Sequence, residues 1–245
     1  MKRMIFDSIH KFCRLSLYRA ATEYYGCSEK AGLWMFPEKI VKSDRFQMIF
    51  NAVDLKKFTY SSAVRDDVRK ELNLENKFVV GHVGNFVYQK NHYFLIDIFE
   101  ELKRKCPEAV LLLLGRGERF ETVEKRIKEK GLEDSVRLLG FRKDPDRLFQ
   151  AMDFFLLPSY FEGLPTVGVE AQCTGLPSLM SDTITTEVKI TENCWFLPLK
   201  EKPEVWADFI LNIEKQTGNI FPGLEKKEAY SLETLKKQQQ RLLEK

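Results

Sequence analysis

Two glutamates eight positions apart, Glu162 and Glu170, bracket the run Glu162-Gly163-Leu164-Pro165-Thr166-Val167-Gly168-Val169-Glu170. An apolar run at 154–157 precedes them, with the length of a strand buried on both faces. Pro165 suits the first position of a helix, where its missing N–H costs nothing. Gly175, followed by Pro177, suits the stop. Glu162 then belongs to a loop at the carboxyl end of a strand, and Glu170 to the second turn of the next helix. Helical side chains lean toward the amino terminus, so the Glu170 carboxylate is expected to reach back to that loop. Between the two acids, the free N–H groups of Thr166, Val167 and Gly168 suit an anion.

Acids flanking an anion site make sense for a ligand that carries both phosphates and sugar hydroxyls. Carboxylates accept hydrogen bonds from vicinal hydroxyls, while helix amides and cations take the phosphates. A nucleotide-sugar meets both requirements. Taken alone, the same residues also fit a solvated Glu162 and a helix-capping Glu170.

The elements that must position this stretch alternate regularly. Strands are expected at 78–83, 110–114, 136–139, 154–157, 178–181 and 195–197, with helices at 91–105, 118–130, 146–152 and 205–213. This pattern implies an α/β fold, a doubly wound parallel sheet with a helical tail continuing through 232–243. Ligands of such sheets sit at the carboxyl ends of the strands. Upstream, a short strand at 24–28, a brief helix opened by Ser28 and ended by Pro37, and an apolar run at 46–50 are expected. Residues 56–73 are strongly polar and read as a mobile excursion.

Three further loops should meet the same crevice. The first runs from Gly81 through Gly84, Asn85 and Lys90 to His92, where glycines permit close backbone approach and Lys90 adds a cation at a helix start. The second is Gly115-Arg116-Gly117, whose arginine suits either a phosphate or water. The third is Gly140-Phe141-Arg142, which could edge a base or serve as a core or hinge contact.

Composition sets the bounds. Among 245 residues, a hydrophobic fraction of 44% and 19 Phe supply ample core. Lys+Arg of 39 against Asp+Glu of 36 leaves a net charge of +3, which argues against nucleic acid as the main partner. The five cysteines are odd in number, scattered and without metal-ligand spacing, as expected for a reducing cytoplasmic compartment. No apolar run has the length of a membrane span, and the basic amino terminus is not followed by the apolar segment of a secretory signal. Residues 2–19 instead pattern as a basic amphipathic helix. Such a helix could lie peripherally on the inner membrane face or pack with its basic side in water.

Together the loops and the paired glutamates resemble the retaining nucleotide-sugar glycosyltransferases of family 4. The residues carrying the resemblance are the Glu162–Glu170 run, Gly84 with Lys90, Gly115-Arg116-Gly117 and Leu139-Gly140-Phe141. Asn51-Ala52-Val53-Asp54 with Phe58 is similar to the family's linker between domains. The resemblance implies the GT-B build, two Rossmann-like domains facing each other across a cleft. Here 1–52 would be a remnant of the amino-terminal domain and linker, 53–203 the Rossmann-like donor-binding domain, and 204–245 carboxyl-terminal helices. Carried over by position, Glu162 approaches the donor sugar, and Gly163, Leu164, Pro165 and Thr166 lie against sugar and diphosphate. Glu170 holds the ribose hydroxyls, and Lys90 neutralises the diphosphate as the leaving group departs. The implied donor is a UDP-sugar and the implied acceptor a glycan or lipid-linked intermediate, with no metal or other cofactor required.

Two departures from the family pattern stand out. Asn85 occupies a position where the family usually has arginine. Losing that charge-assisted contact should weaken transition-state stabilisation by roughly 1.5–3 kcal/mol unless Arg116 compensates. The acceptor-binding domain is expected to be mostly missing, so the chain would need a partner or self-associate through the exposed face. The alternatives to a transferase are a non-catalytic nucleotide-sugar-binding module and a sugar-nucleotide epimerase.

Overall fold

The computed structural model describes Cys13 and residues 20–49 and 51–217. The helical patterns expected at 2–19 (Cys13 apart) and 232–243 lie outside the described residues. A small first unit pairs strand β1 (Tyr24–Gly26) in parallel with β2 (Phe46–Met48). Between them lie helices α1 (Glu29–Met35) and α2 (Glu38–Val41). Ser28 caps α1, its hydroxyl accepting from the Ala31 amide at 3.0 Å, which satisfies one orphan donor of the first turn. Phe36 then packs edge-on against Tyr24 with centroids 5.0 Å apart, binding helix to strand.

One correction concerns 56–73. The polar stretch is not an excursion: it contains helix α3 (Ser62–Glu71), capped by Ser61 and anchored by fully buried Val68. Its arginines are structural. Arg65 pairs with Asp153 and donates to the Gln150 and Met152 carbonyls at 2.8 and 2.7 Å. Arg69 reaches Asp153 at 3.2 Å and the carbonyls of Ala151 and Leu74 at 2.9 Å. Asp153 is itself buried and accepts from the Val79 amide at 2.7 Å, so α3 and β3 converge on one carboxylate.

The main sheet contains β3 (Phe78–Val83), β4 (Ala109–Leu114), β5 (Val136–Gly140), β6 (Phe154–Leu157), β7 (Ser178–Ser181) and β8 (Cys194–Leu197). Its order is β5-β4-β3-β6-β7-β8, with every pair parallel. Helices α4 (His92–Lys105), α5 (Phe120–Glu129), α6 (Pro145–Ala151), α7 (Thr166–Cys173) and α8 (Pro203–Thr217) complete the fold. This is the doubly wound α/β architecture expected from the alternation. Side chains of period two feed two cores. Val79, Leu112, Phe155 and Leu157 face α3, α6 and α7, while Val80, Leu111, Leu113 and Phe154 face α4, α5 and α8. Complete burial of each Leu or Phe contributes about 1.5–3 kcal/mol. Trp206 of α8 is fully buried against Phe94 of α4, which ties the two helices together.

The strand order reverses between β3 and β6. Loops leaving these two neighbours run to opposite sides of the sheet, and a crevice opens between their carboxyl ends.

Candidate functional site

Past the strand ends, backbone hydrogen bonds extend the ladder into the loops. Gly84 N–H donates to Leu114 at 2.9 Å, Phe86 N–H to Arg116 at 2.9 Å, and Gly115 N–H to Gly140 at 2.8 Å. This closeness depends on glycine. Gly115 has φ +146°, and a Cβ there would stand 2.0 Å from the Gly84 carbonyl oxygen. Gly117 has φ +154°, and a Cβ there would meet the Phe86 carbonyl oxygen at 2.5 Å. At the end of β5 the register with β4 slips, so Leu114 pairs with Gly140, which turns at φ +63° and sends Phe141 to the rim.

Lys90 closes a single 3-10 turn (Tyr88–Lys90), one residue before the left-handed Asn91 rather than on α4 itself. Asn91 fixes that turn across the switch point, its amide donating to the Pro158 carbonyl at 3.1 Å. Tyr160 N–H donates to the Gln89 carbonyl at 2.8 Å, a second link between the β3 and β6 loops. Between these ties, Lys90 Nζ lies 2.7 Å from Glu162 Oε1, both side chains largely buried. Gln89 Nε2 donates to the other Glu162 oxygen at 2.8 Å. The Glu162 carboxylate is thus held on two sides by the loop that follows β3.

Helix α7 starts at Thr166, with Pro165 as its N-cap rather than its first residue. The Gly168 amide is already bonded to the Pro165 carbonyl at 3.0 Å, which corrects the expectation of three free donors. The amides of Thr166 and Val167 are left to face a ligand. At the other end Gly175, φ +87°, closes a Schellman motif, with Leu176 N–H on the Ala171 carbonyl at 3.1 Å. Glu170 sits one turn into the helix, half-buried. Burial pushes its carboxyl above the ordinary value, with Asp146 adding to the rise and Lys57 opposing it.

A hollow of about 340 Å³ lies where these loops meet. Gly84, Asn85 and Lys90 line it from the β3 loop, Phe141 and Arg142 from the β5 loop, and Glu170 with Val167 from α7. Arg116 is exposed at the rim, its guanidinium 5.0 Å above the Phe141 ring. Arg142 lines the hollow but is held by both oxygens of Asp144, at 2.9 and 2.8 Å. Glu162 stands behind Lys90 rather than on the wall. Gly163 turns toward α1, its carbonyl accepting from the Ser28 hydroxyl at 3.0 Å. The Leu164 side chain is in the core, so only its backbone is available to the loop. Gln89 and Asn91 were not singled out from sequence, and Val167 was named only for its backbone N–H. Val167 lay inside the glutamate run, whereas nothing in residue type marked Gln89 or Asn91. Among the described residues, no group of three or more His, Cys, Asp or Glu could hold a metal ion.

The sequence model of the family Glycosyl transferases group 1 matches residues 64–218. The chain belongs to that family. Among group 1 relatives it is 33% identical over 205 residues to EpsF of Bacillus subtilis (strain 168), whose name assigns it provisionally to the glycosyltransferases. That match covers 81% of this chain and 52% of EpsF. It is also 33% identical over 149 residues to the UDP-Gal:alpha-D-GlcNAc-diphosphoundecaprenol alpha-1,3-galactosyltransferase of Escherichia coli, covering 59% of this chain and 38% of that enzyme. The chain therefore spans about half, or less, of the length of these two relatives. The crystal structure of Anabaena Alr3699/HepE in complex with UDP and glucose superposes with a TM-score of 0.79 at 22% identity, over 92% of this chain and 64% of that one. At that identity the likeness is one of fold, the Rossmann-like half of the GT-B build.

Proposed function

We propose that this chain is the donor-binding half of a retaining family 4 glycosyltransferase that moves a hexose from a UDP-sugar to a glycan or lipid-linked acceptor. The observation that carries the reading is the shared hollow: a cation, Lys90, and a carboxylate, Glu170, line the same walls at the strand switch point. The names of relatives point the same way. The Escherichia coli relative is named for UDP-Gal, and the Anabaena structure contains UDP and glucose.

In this reading Glu170 accepts hydrogen bonds from the ribose hydroxyls, and Phe141 edges the base. The Thr166 and Val167 amides and the Lys90 ammonium take the diphosphate, so the role of cation falls to side chain and backbone, with no resident cofactor. Glu162, released from Lys90 by the competing phosphates, turns to the hydroxyls of the donor sugar. The bond from anomeric carbon to diphosphate oxygen breaks while the acceptor oxygen bonds to the same face. The acceptor's proton passes to the departing phosphate oxygen. Negative charge grows on that oxygen as the bond stretches, and a fixed ammonium lowers the barrier because it gains most in the transition state. A lipid-linked acceptor would place the reaction peripherally on the inner membrane face. Among the described residues no helix is long and apolar enough to cross a membrane.

Calorimetric titration with UDP, followed by UDP-hexoses, tests the reading. UDP should bind, and Lys90→Ala should weaken it by about tenfold or more, as expected when a charge-assisted contact is lost. Unchanged affinity in that variant refutes the assignment. Asn85, exposed and uncharged at the wall of the hollow, favours one second reading, a module that holds the donor without turning it over. Release of free hexose from a UDP-hexose, with or without acceptor, decides against it.

A further inference from the structure

Beneath the phosphate loop lies a histidine that the chemistry above leaves unused. His82 of β3 is fully buried, and its Nδ1 stands 2.9 Å from the Leu156 carbonyl oxygen of β6. A carbonyl can only accept, so Nδ1 carries the proton and Nε2 keeps a lone pair. That nitrogen has no hydrogen-bond partner among the described residues, a costly state for a buried polar atom. It faces the site: a Cβ built on Gly84 would lie 3.0 Å from His82 Nε2 and 3.0 Å from Cε of Lys90. Glycine at 84 therefore leaves the imidazole and the end of the lysine facing one gap. His92 forms its other wall, edge-on to His82 with centroids 4.9 Å apart and stacked on Phe86 at 4.3 Å. Burial, reinforced by the Lys90 charge, lowers His92 to about 4, and burial holds His82 well below its usual range. Both rings are neutral near pH 7.

We propose that His82 is a positioning residue for Lys90: its Nε2 accepts one hydrogen bond from the ammonium when that ammonium turns from Glu162 to the donor's diphosphate. The inference rests on the reading of Lys90 as a diphosphate ligand. An ammonium has three donors, and once Glu162 leaves, an acceptor on the inner side lets the other two aim at phosphate oxygens. A neutral imidazole does this without competing for the anion. A carboxylate in the same place would compete with it.

The test separates two functions of the imidazole. His82→Asn keeps a side-chain N–H where Nδ1 stood, and with it the bond to Leu156, but offers no acceptor at the Nε2 position. His82→Gln reaches that position with an amide oxygen. Each variant is titrated calorimetrically with UDP, alone and in a Lys90→Met background. His82→Asn is expected to weaken UDP binding about tenfold when Lys90 is present and to have no effect when it is absent. His82→Gln should recover part of the loss. Equal weakening in both backgrounds overturns the proposal, because a purely structural histidine acts without the lysine. The nitrogen-15 signal of the Lys90 ammonium in the UDP complex must also shift in His82→Asn, and an unmoved signal overturns the proposal as well. The two failures are distinct. Lys90→Met with unchanged UDP affinity refutes the diphosphate reading, while a Lys90→Met effect uncoupled from His82→Asn refutes only the positioning role.

Discussion

If Glu170 holds the ribose, Glu170→Gln should damage nucleoside recognition and leave diphosphate recognition intact. The substitution keeps the shape of the side chain in the wall of the hollow and removes only its charge. A hydrogen bond to an ionised acceptor contributes about 1.5–3 kcal/mol and one to a neutral amide about 0.5–1.5, so the expected loss is about 1–1.5 kcal/mol, roughly tenfold in Kd. Calorimetry with UDP and, separately, with pyrophosphate provides the contrast: UDP weakens and pyrophosphate does not. The same carboxylate makes a pH prediction. Burial, with Asp146, raises its pKa above the ordinary glutamate value. The ionised form is the one that accepts from hydroxyls, so UDP affinity should be full near neutrality and fall on acidification, beginning at a higher pH than an exposed glutamate would cause. In Glu170→Gln that part of the pH dependence should vanish. Equal weakening of UDP and pyrophosphate, or an acid loss of the same size in wild type and the glutamine variant, refutes the ribose assignment.

Two further predictions concern the frame around the site. Asp153→Asn leaves the guanidinium groups of Arg65 and Arg69 buried with only carbonyl partners. Breaking a buried pair from one side costs about 3–5 kcal/mol. Thermal unfolding should therefore shift down by about 6–20 °C for a chain of this size, and a shift of only a degree or two would show that the network contributes little. Gly115→Ala and Gly140→Ala form a matched pair. Both have positive φ, but a Cβ at 140 meets nothing within 4 Å, whereas one at 115 would sit 2.0 Å from backbone. The first should cost the further 1–3 kcal/mol, roughly, of overpacking and weaken UDP binding, and the second only the conformational penalty of about 1–2 kcal/mol. Equal urea midpoints for the two variants would contradict the close approach of the β3 and β4 loops.

The parts of the fold that sequence made legible are those with a strong periodic signal. Strands β3 to β8 follow from apolar runs bounded by turn residues, and their alternation with helices implied the parallel sheet. Helix α3 was hidden because two of its charges are not solvated while the rest face water. Arg65 and Arg69 are spaced four apart and point inward to Asp153, and a charge count cannot distinguish such arginines from surface ones. In the candidate site, the stop at Gly175 and the reach of Glu170 toward the hollow followed from helix chemistry alone. The pairing of Lys90 with Glu162 did not. The two lie 72 positions apart in the chain, and they meet because β3 and β6 pair as neighbours and Asn91 and Tyr160 tie their loops by single hydrogen bonds. Nor could the bond from Gly168 to Pro165 be foreseen, since it depends on how tightly the first turn of α7 winds.

The ion pair at the switch point also explains how two charges can wait in a largely buried place. Alone, a buried lysine or glutamate would be driven toward its neutral form, because removing a charge from water costs more than most local contacts return. Paired at 2.7 Å, with Gln89 on the second carboxylate oxygen, each offsets the other's burial and is held in its aim. On the proposed donor-binding reading, a diphosphate entering from the Glu170 side would bring a stronger anion to Lys90 than the carboxylate it displaces. The exchange frees Glu162 only when the ammonium has something else to hold. Donor entry and release of Glu162 would then be one event. That coupling requires the loops to stay rigid through the exchange, and the backbone bonds running from β3 through β4 to β5 beyond the strand ends supply the rigidity.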